Sequence, residues 1–268
     1  MAEVDVRMVV TDLDDTLLSP KKEISDEAVK KIGVLKDRGI HFTFITGRPP
    51  YAVERFARRV GLNAPMVCCN GAMLVRDGQI LEQDSFALAP LKDLMEEMAD
   101  LGMTVLLFDG EIEYILVKTH WAKDRNVPIW PGGRERWENG QGVKIAVMAG
   151  NKTEEFSRFV PKLQTLDKDY SIFLYGKTGC EIVAKGMNKA VGLRKLSRLM
   201  KIDAKNVLAV GDNENDMEML KAAGIGAAVA NAVDSTKAVA DYVCQGSYTT
   251  GVLEAIDRFV LGQMTKAQ

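Results

Sequence analysis

The sequence predicts an α/β protein built on a doubly wound parallel sheet and interrupted by a separate α+β segment. Short apolar runs alternate with amphipathic helical stretches over residues 7–82 and again after residue 185. Acidic and other polar residues collect where those apolar runs end, which is where open parallel sheets bind ligands. Between the two halves, residues 83–185 change to hairpin-like strand pairs accompanied by two helices.

At 268 residues the chain can hold two domains, or one large domain with an insertion. Hydrophobic residues at 47% and charged residues at 27% are the balance of a chain that builds a core. A net charge of −2 without a basic block points to neither nucleic acid nor an anionic membrane as partner. No apolar run approaches the roughly 18 residues of a membrane span, and no leader pattern is visible, so a cytoplasmic location is expected. Cys68, Cys69, Cys180 and Cys244 lack CxxC spacing, and His41 and His120 are the only histidines, which argues against zinc. Cys68 and Cys69 are expected to pack in a buried strand.

The first strand, residues 8–10, stops at three carboxylates in four positions, Asp12, Asp14 and Asp15. Like charges this close disfavour one another unless a cation sits among them. While the strand persists, Asp12 and Asp14 face one side and Leu13 the other, so both carboxylates can approach one hard cation. Magnesium takes few protein carboxylates and binds phosphate oxygens, so a phosphate site fits this stretch. Read alone, it also fits an acidic turn in which Asp15 or Thr16 caps the next segment.

Residues 25–38 read as an amphipathic helix with Ser25 as N-cap and Gly39 as stop. A strand at 40–45 leads to Thr46-Gly47-Arg48 and a helix at 51–60; a third strand at 66–69 ends at Asn70-Gly71. Thr46 offers a hydroxyl and Gly47 a close backbone N–H, the donors a phosphoryl oxygen uses. Arg48 serves a substrate anion or is simply paired; both readings stand, and Asn70 and Gly71 are candidate substrate contacts.

In the interrupting segment, a helix at 88–101 precedes strands at 103–108 and 112–117 around Asp109-Gly110, a hairpin pair. A strand at 143–148, a helix at 153–166 and strands at 171–175 and 180–183 complete an α+β insert. Trp121, Trp130 and Trp137 fall in its irregular part and are expected to pack a loop core. The parallel pattern resumes with a helix at 188–200 and a strand at 207–210, whose end carries a second acidic cluster through Asp212, Asn215 and Asp216. Short strands at 225–229 and 242–244 and a helix at 251–261 close the chain.

These residues resemble the haloacid dehalogenase superfamily of aspartate-nucleophile phosphatases, specifically its Cof-type branch, subfamily IIB. The DxDxT motif matches Asp12, Asp14 and Thr16; the second motif matches Thr46; the third matches Lys189; and GDxxND matches Gly211, Asp212, Asn215 and Asp216. The resemblance covers essentially the full length and departs from many relatives only in Asp15, where they carry Gly. It implies a Rossmann-like core at 1–82 and 186–268 and an α+β cap domain at 83–185 that selects the substrate.

The resemblance further implies that Asp12 attacks phosphorus and that Asp14 is acid, then base. Mg2+ would be held by the Asp12 carboxylate, the Asp14 carbonyl and Asp212, with Asp216 in support. Lys189, Thr46, the N–H groups of Leu13 and Gly47, and Asn215 would cradle the phosphoryl oxygens. The implied substrate is a small phosphate ester, such as a sugar phosphate or a phosphorylated cofactor. A phosphosugar mutase or phosphotransferase of the same fold remains an alternative, because the motifs do not say whether water or a second hydroxyl receives the phosphoryl group. A receiver-like or non-catalytic phospho-ligand protein is a further one, against which Asp14 and the second acidic cluster argue. Oligomeric state is not legible.

Overall fold

The computed structural model describes residues 4–123, 125–132 and 134–262. It falls into two compact units, Met1–Glu82 with Asn188–Gln268, and Gln83–Met187. The chain returns to the first unit two residues later than the sequence pattern suggests. Met187 still packs on the core of the second unit, and Asn188 already caps the next helix.

The first unit opens with β1 (Met8–Thr11), which passes through a wide turn into α1 (Asp26–Asp37). The Ser25 side chain accepts from the Ala28 N–H at 3.1 Å, satisfying one of the donors a helix start leaves open. β2 (His41–Phe44), α2 (Pro50–Val60) and β3 (Met66–Cys68) follow, with Pro50 in the first helical turn, where its missing N–H costs nothing. β4 (Met73–Arg76) and β5 (Gln79–Gln83) then form a three-stranded sheet with β3. The intervening Asp77-Gly78 has positive φ at both residues, a two-residue turn whose sequence signal was present but weaker than the parallel rhythm around it. As a result β3, expected to extend the parallel sheet, touches β2 only through the parallel bridge Ile45–Val67 and pairs antiparallel with β4.

The second unit comprises β6 (Phe86–Ala87), α3 (Lys92–Asp100), β7 (Thr104–Phe108), β8 (Glu113–Ile115), α4 (Arg134–Asn139), β9 (Gln141–Gly142), β10 (Lys144–Met148), α5 (Thr153–Thr165), β11 (Tyr170–Leu174) and β12 (Gly179–Ala184). Its main sheet runs β11-β12-β10-β7-β8, antiparallel at every pairing. Alternate residues Val105, Leu107, Ile145, Val147 and Ile182 share a core with Met95 and Met98 of α3 and Phe156 and Phe159 of α5. Trp130 and Trp137 join it edge to face, ring centroids 5.7 Å apart, and Trp121 packs on a smaller cluster with Leu106 and Ile115.

The chain then completes the first unit with α6 (Lys189–Met200), β13 (Val207–Gly211), α7 (Met217–Ala222), β14 (Ile225–Ala228), α8 (Asp234–Val239), β15 (Tyr242–Val243) and α9 (Thr249–Ile256), which continues into a wider turn at Asp257–Leu261. The parallel sheet has the order β15-β14-β13-β1-β2. Met8 and Val10 face α6 and α7 residues Leu193, Leu196, Met219 and Leu220, while Val9 points to the opposite face, as strand alternation requires. From β1 the chain moves first to β2 and later to β13 on the other side, so the strand order reverses between β1 and β13. That reversal opens the crevice in which open sheets bind ligands. Among the described residues no helix is long and apolar enough to cross a membrane.

The contiguous segment Gln83–Met187 carries its own core and is expected to unfold cooperatively in urea when produced alone. A non-cooperative transition would show that this core is incomplete by itself.

Candidate active site

β1 and β13 run side by side with Thr11 opposite Val210, so Asp12 and Asp212 leave the sheet at adjacent strand ends. The Asp12 N–H continues the ladder for one more bond, to the Val210 carbonyl at 2.9 Å. Strand geometry stops there. Residues Leu13–Leu17 form a wide turn in which the Leu18 N–H reaches back to the Leu13 carbonyl at 2.8 Å, with Asp15 at φ +59°. The same-side rule for Asp12 and Asp14 therefore does not operate, and their carboxylates part.

Asp12 turns into the protein, 5% exposed, beside Asp212 and Asp216. One carboxylate oxygen from each lies within 4.8 Å of the others. Lys189, fully buried at the start of α6, donates to Asp12 Oδ1 and Asp216 Oδ1, each at 2.7 Å. Asn188 caps that helix by accepting from the Val191 N–H at 2.8 Å, which fixes where Lys189 begins. Asp216 Oδ2 in turn accepts the N–H groups of Asp212 and Asn213, both at 3.1 Å, and so folds the loop onto its own carboxylate. A Cβ on Gly211 would lie 2.5 Å from that of Asp216, so only glycine admits this fold. Thr16 donates to Asp212 Oδ1, a role that its place in the motif does not reveal.

One ammonium among three buried carboxylates leaves the group short of positive charge. Burial, opposed by the Lys189 charge and reinforced by Asp216 and Asp212, holds the Asp12 carboxyl well above its usual range. Burial and the Asp216 charge push Asp212 up to about 7, against the Thr16 hydrogen bond and Lys189. Burial disfavours the Lys189 ammonium, but Asp12 and Asp216 outweigh it and keep the proton on. These directions all state that the group takes up positive charge. Hard oxygen donors in this arrangement suit a small divalent cation.

Asp14 belongs to a second group. Its Oδ2 accepts from Arg48 Nε at 2.6 Å and its Oδ1 from Arg48 Nη2 at 2.7 Å, with Lys22 Nζ 3.0 Å away. Burial raises its pKa, but the hydrogen bonds and charges of Arg48 and Lys22 outweigh that and hold the carboxyl below its usual range. Arg48 is thus paired, the plainer of the two sequence readings.

The strand-end loops lock these groups in place. Thr46 is buried, its hydroxyl accepts the Arg48 N–H at 3.3 Å, and Gly47 lies between them where β2 turns toward α2. Cys69 and Asn70 donate their N–H groups to the carbonyls of Arg48 and Thr46, each at 3.0 Å. The Asn70 side chain accepts from Asn215 Nδ2 at 3.1 Å, joining the second and fourth motifs. Cys69, Asn70 and Gly71 all have positive φ. At Gly71 (φ +95°) a Cβ would lie 2.1 Å from the Asn188 carbonyl oxygen. Gly71 therefore permits the close approach of α6, where the sequence suggested a substrate contact. Leu13 is wholly buried, and its carbonyl accepts the Leu18 N–H.

A family profile described as haloacid dehalogenase-like hydrolase matches residues 9–256. A 5-amino-6-(5-phospho-D-ribitylamino)uracil phosphatase of Bacillus subtilis (strain 168) is 27% identical, the match covering 97% of this chain and 98% of its own. A pyridoxal phosphate phosphatase of Escherichia coli (strain K12) is also 27% identical, over 93% of this chain and 97% of its own. In fold, the chain is similar to a haloacid dehalogenase-like hydrolase from B. subtilis, at a TM-score of 0.82 and 20% identity, with 95% of this chain and 100% of that one covered.

Gly71→Ala is expected to destabilise the protein by at least about 2–3 kcal/mol, combining overpacking against Asn188 with a strained backbone. Urea denaturation checks this, and a change under about 0.5 kcal/mol would show that α6 does not need the close approach.

Proposed function

The chain belongs to the haloacid dehalogenase-like hydrolases, and on that premise we propose that it is a magnesium-dependent phosphatase that hydrolyses a small phosphomonoester through an aspartyl-phosphate on Asp12. The observation that carries this reading is Asp12 itself. It is a buried carboxylate at a sheet switch point, with one oxygen held by Lys189 at 2.7 Å and Asp212 and Asp216 close by. In such a place a carboxylate is oriented as a nucleophile, and the ammonium beside it offsets the charge of an arriving phosphate.

Asp12 Oδ attacks phosphorus and the ester oxygen leaves, taking a proton from Asp14. Asp14, then ionised, accepts a proton from the water that attacks the phosphorus of the acyl phosphate, which returns Asp12 and releases inorganic phosphate. Lys189 and the Thr46 hydroxyl stabilise the equatorial oxygens, and Asn215, held by Asn70, keeps the far side of the cradle in place. The three clustered carboxylates fit a hard divalent ion: Asp12 and Asp212 would hold it, with the Asp14 carbonyl, and Asp216 would order the loop behind them. When bound, magnesium supplies Lewis-acid polarisation of the phosphoryl group and charge neutralisation between two anions. In this reading the unit Gln83–Met187 is a cap that selects the leaving group. The phosphorylated cofactors and intermediates named for the relatives are the substrate classes to test first.

Hydrolysis of p-nitrophenyl phosphate or of a natural phosphate panel is expected to require magnesium. In Asp12→Asn it should fall by at least about a thousandfold in kcat with the fold unchanged. Undiminished turnover in that variant would remove Asp12 from the chemistry.

Metal affinity should also depend on pH. A protonated carboxyl is not a ligand, and Asp212 holds its proton up to about 7. Affinity is therefore expected to weaken as pH falls below that value, by up to about tenfold per unit for each carboxyl that must lose its proton, Asp12 included. Calorimetric titration of magnesium at pH 6, 7 and 8 measures this, and a flat affinity would exclude Asp212 as a ligand.

A further inference from the structure

Asp14 lies only two positions from Asp12 yet takes no part in the cluster of Asp12, Asp212 and Asp216. Its side chain, 35% exposed, is held outside that cluster by a two-pronged pair with Arg48 through Nε and Nη2, at 2.6 and 2.7 Å. Such a fork sets both the position and the plane of a carboxylate, which a single ammonium cannot do. The guanidinium is itself anchored. Nη1 reaches the Ala52 carbonyl at 3.4 Å, and Cζ stands 5.5 Å from the centre of the Phe56 ring, both on α2. Lys22 adds a third contact to Asp14 from an exposed and longer-ranging side chain that is shared with Asp15.

We propose that Arg48 is a positioning residue for proton transfer: anchored on α2, it keeps the Asp14 carboxylate apart from the acidic cluster and aimed for exchange with the leaving group and water. The proposal rests on the phosphatase reading above. It assigns Arg48 no contact with the phosphate, and so differs from the substrate-anion role that its sequence position also allowed. The reason for an arginine here is local. Three carboxylates, Asp12, Asp212 and Asp216, already share the Lys189 ammonium, and Asp14 follows Asp12 by only two positions, so its carboxylate has to be held by a cation of its own to stay out of that cluster. A carboxylate engaged there does not protonate a leaving alkoxide.

The test compares wild type, Arg48→Ala, Asp14→Asn and the double variant on a series of phosphate esters. The leaving groups run from p-nitrophenol, which departs without protonation, to simple alkanols, which need a proton. Arg48→Ala is expected to lower kcat by about a hundredfold for the alkyl ester and by less than about threefold for p-nitrophenyl phosphate, with KM little changed. The double variant should turn over the alkyl ester no more slowly than Asp14→Asn alone, because Arg48 acts only through Asp14.

An equal loss across the series with raised KM would make Arg48 a phosphate ligand, and additive losses in the double variant would show that it acts independently of Asp14; either result overturns the proposal. Near wild-type rates for Arg48→Ala on alkyl esters would do the same. Wild type that hydrolyses none of the esters, or Asp12→Asn that hydrolyses them undiminished, counts against the phosphatase reading instead. Circular dichroism and melting of Arg48→Ala confirm that a kinetic loss is not a loss of fold.

Discussion

Lys189 is a buried ammonium that donates to Asp12 and Asp216 at once, and the first unit is built to keep it there. A charge taken out of water is tolerated only when it is paired and hydrogen-bonded, and removing one partner of such a group typically costs about 3–5 kcal/mol. The surrounding structure serves this constraint. The switch between β1 and β13 brings Asp12 to the place, Asn188 fixes the start of α6, and Asp216 both closes its loop and receives the ammonium. Gly71 and Gly211 act here through the side chains they lack. They lie where a methyl group would push α6 or Asp216 away from the cluster.

The same arrangement separates two kinds of carboxylate within three residues of chain. Asp12 sits in a group short of positive charge, and Asp14 in one with two cations around it. The first environment attracts a metal or a proton; the second fixes the position and plane of a carboxylate. The wide turn at Leu13–Leu17 makes the division possible, because a continued strand would have sent both side chains the same way.

Much of this was legible in the amino acids. The strand-turn-helix rhythm predicted the parallel sheet, the Asp109-Gly110 turn predicted the antiparallel insert, and Ser25 marked a helix start by its own chemistry. The β4–β5 hairpin was not legible, although Asp77-Gly78 carried its signal, because its exposed strand lacks a clear apolar alternation. The short α8 escaped for a similar reason, being a single helical turn and a half of small residues. Residue types at the site were legible, but their pairings were not. Nothing local says that Arg48 turns to Asp14, that Asn70 meets Asn215, or that Thr16 reaches across 196 positions to Asp212. Those are consequences of strand order, which sequence spacing does not encode.

The central claim is that the phosphoryl group passes through the carboxylate of residue 12. Acid quenching during turnover, followed by borohydride reduction and peptide mass spectrometry, tests it most directly, since an acyl phosphate on aspartate is reduced to homoserine. The account predicts homoserine at position 12, dependent on substrate and absent from Asp12→Asn. Homoserine at another aspartate, in an enzyme that turns over normally, would contradict it.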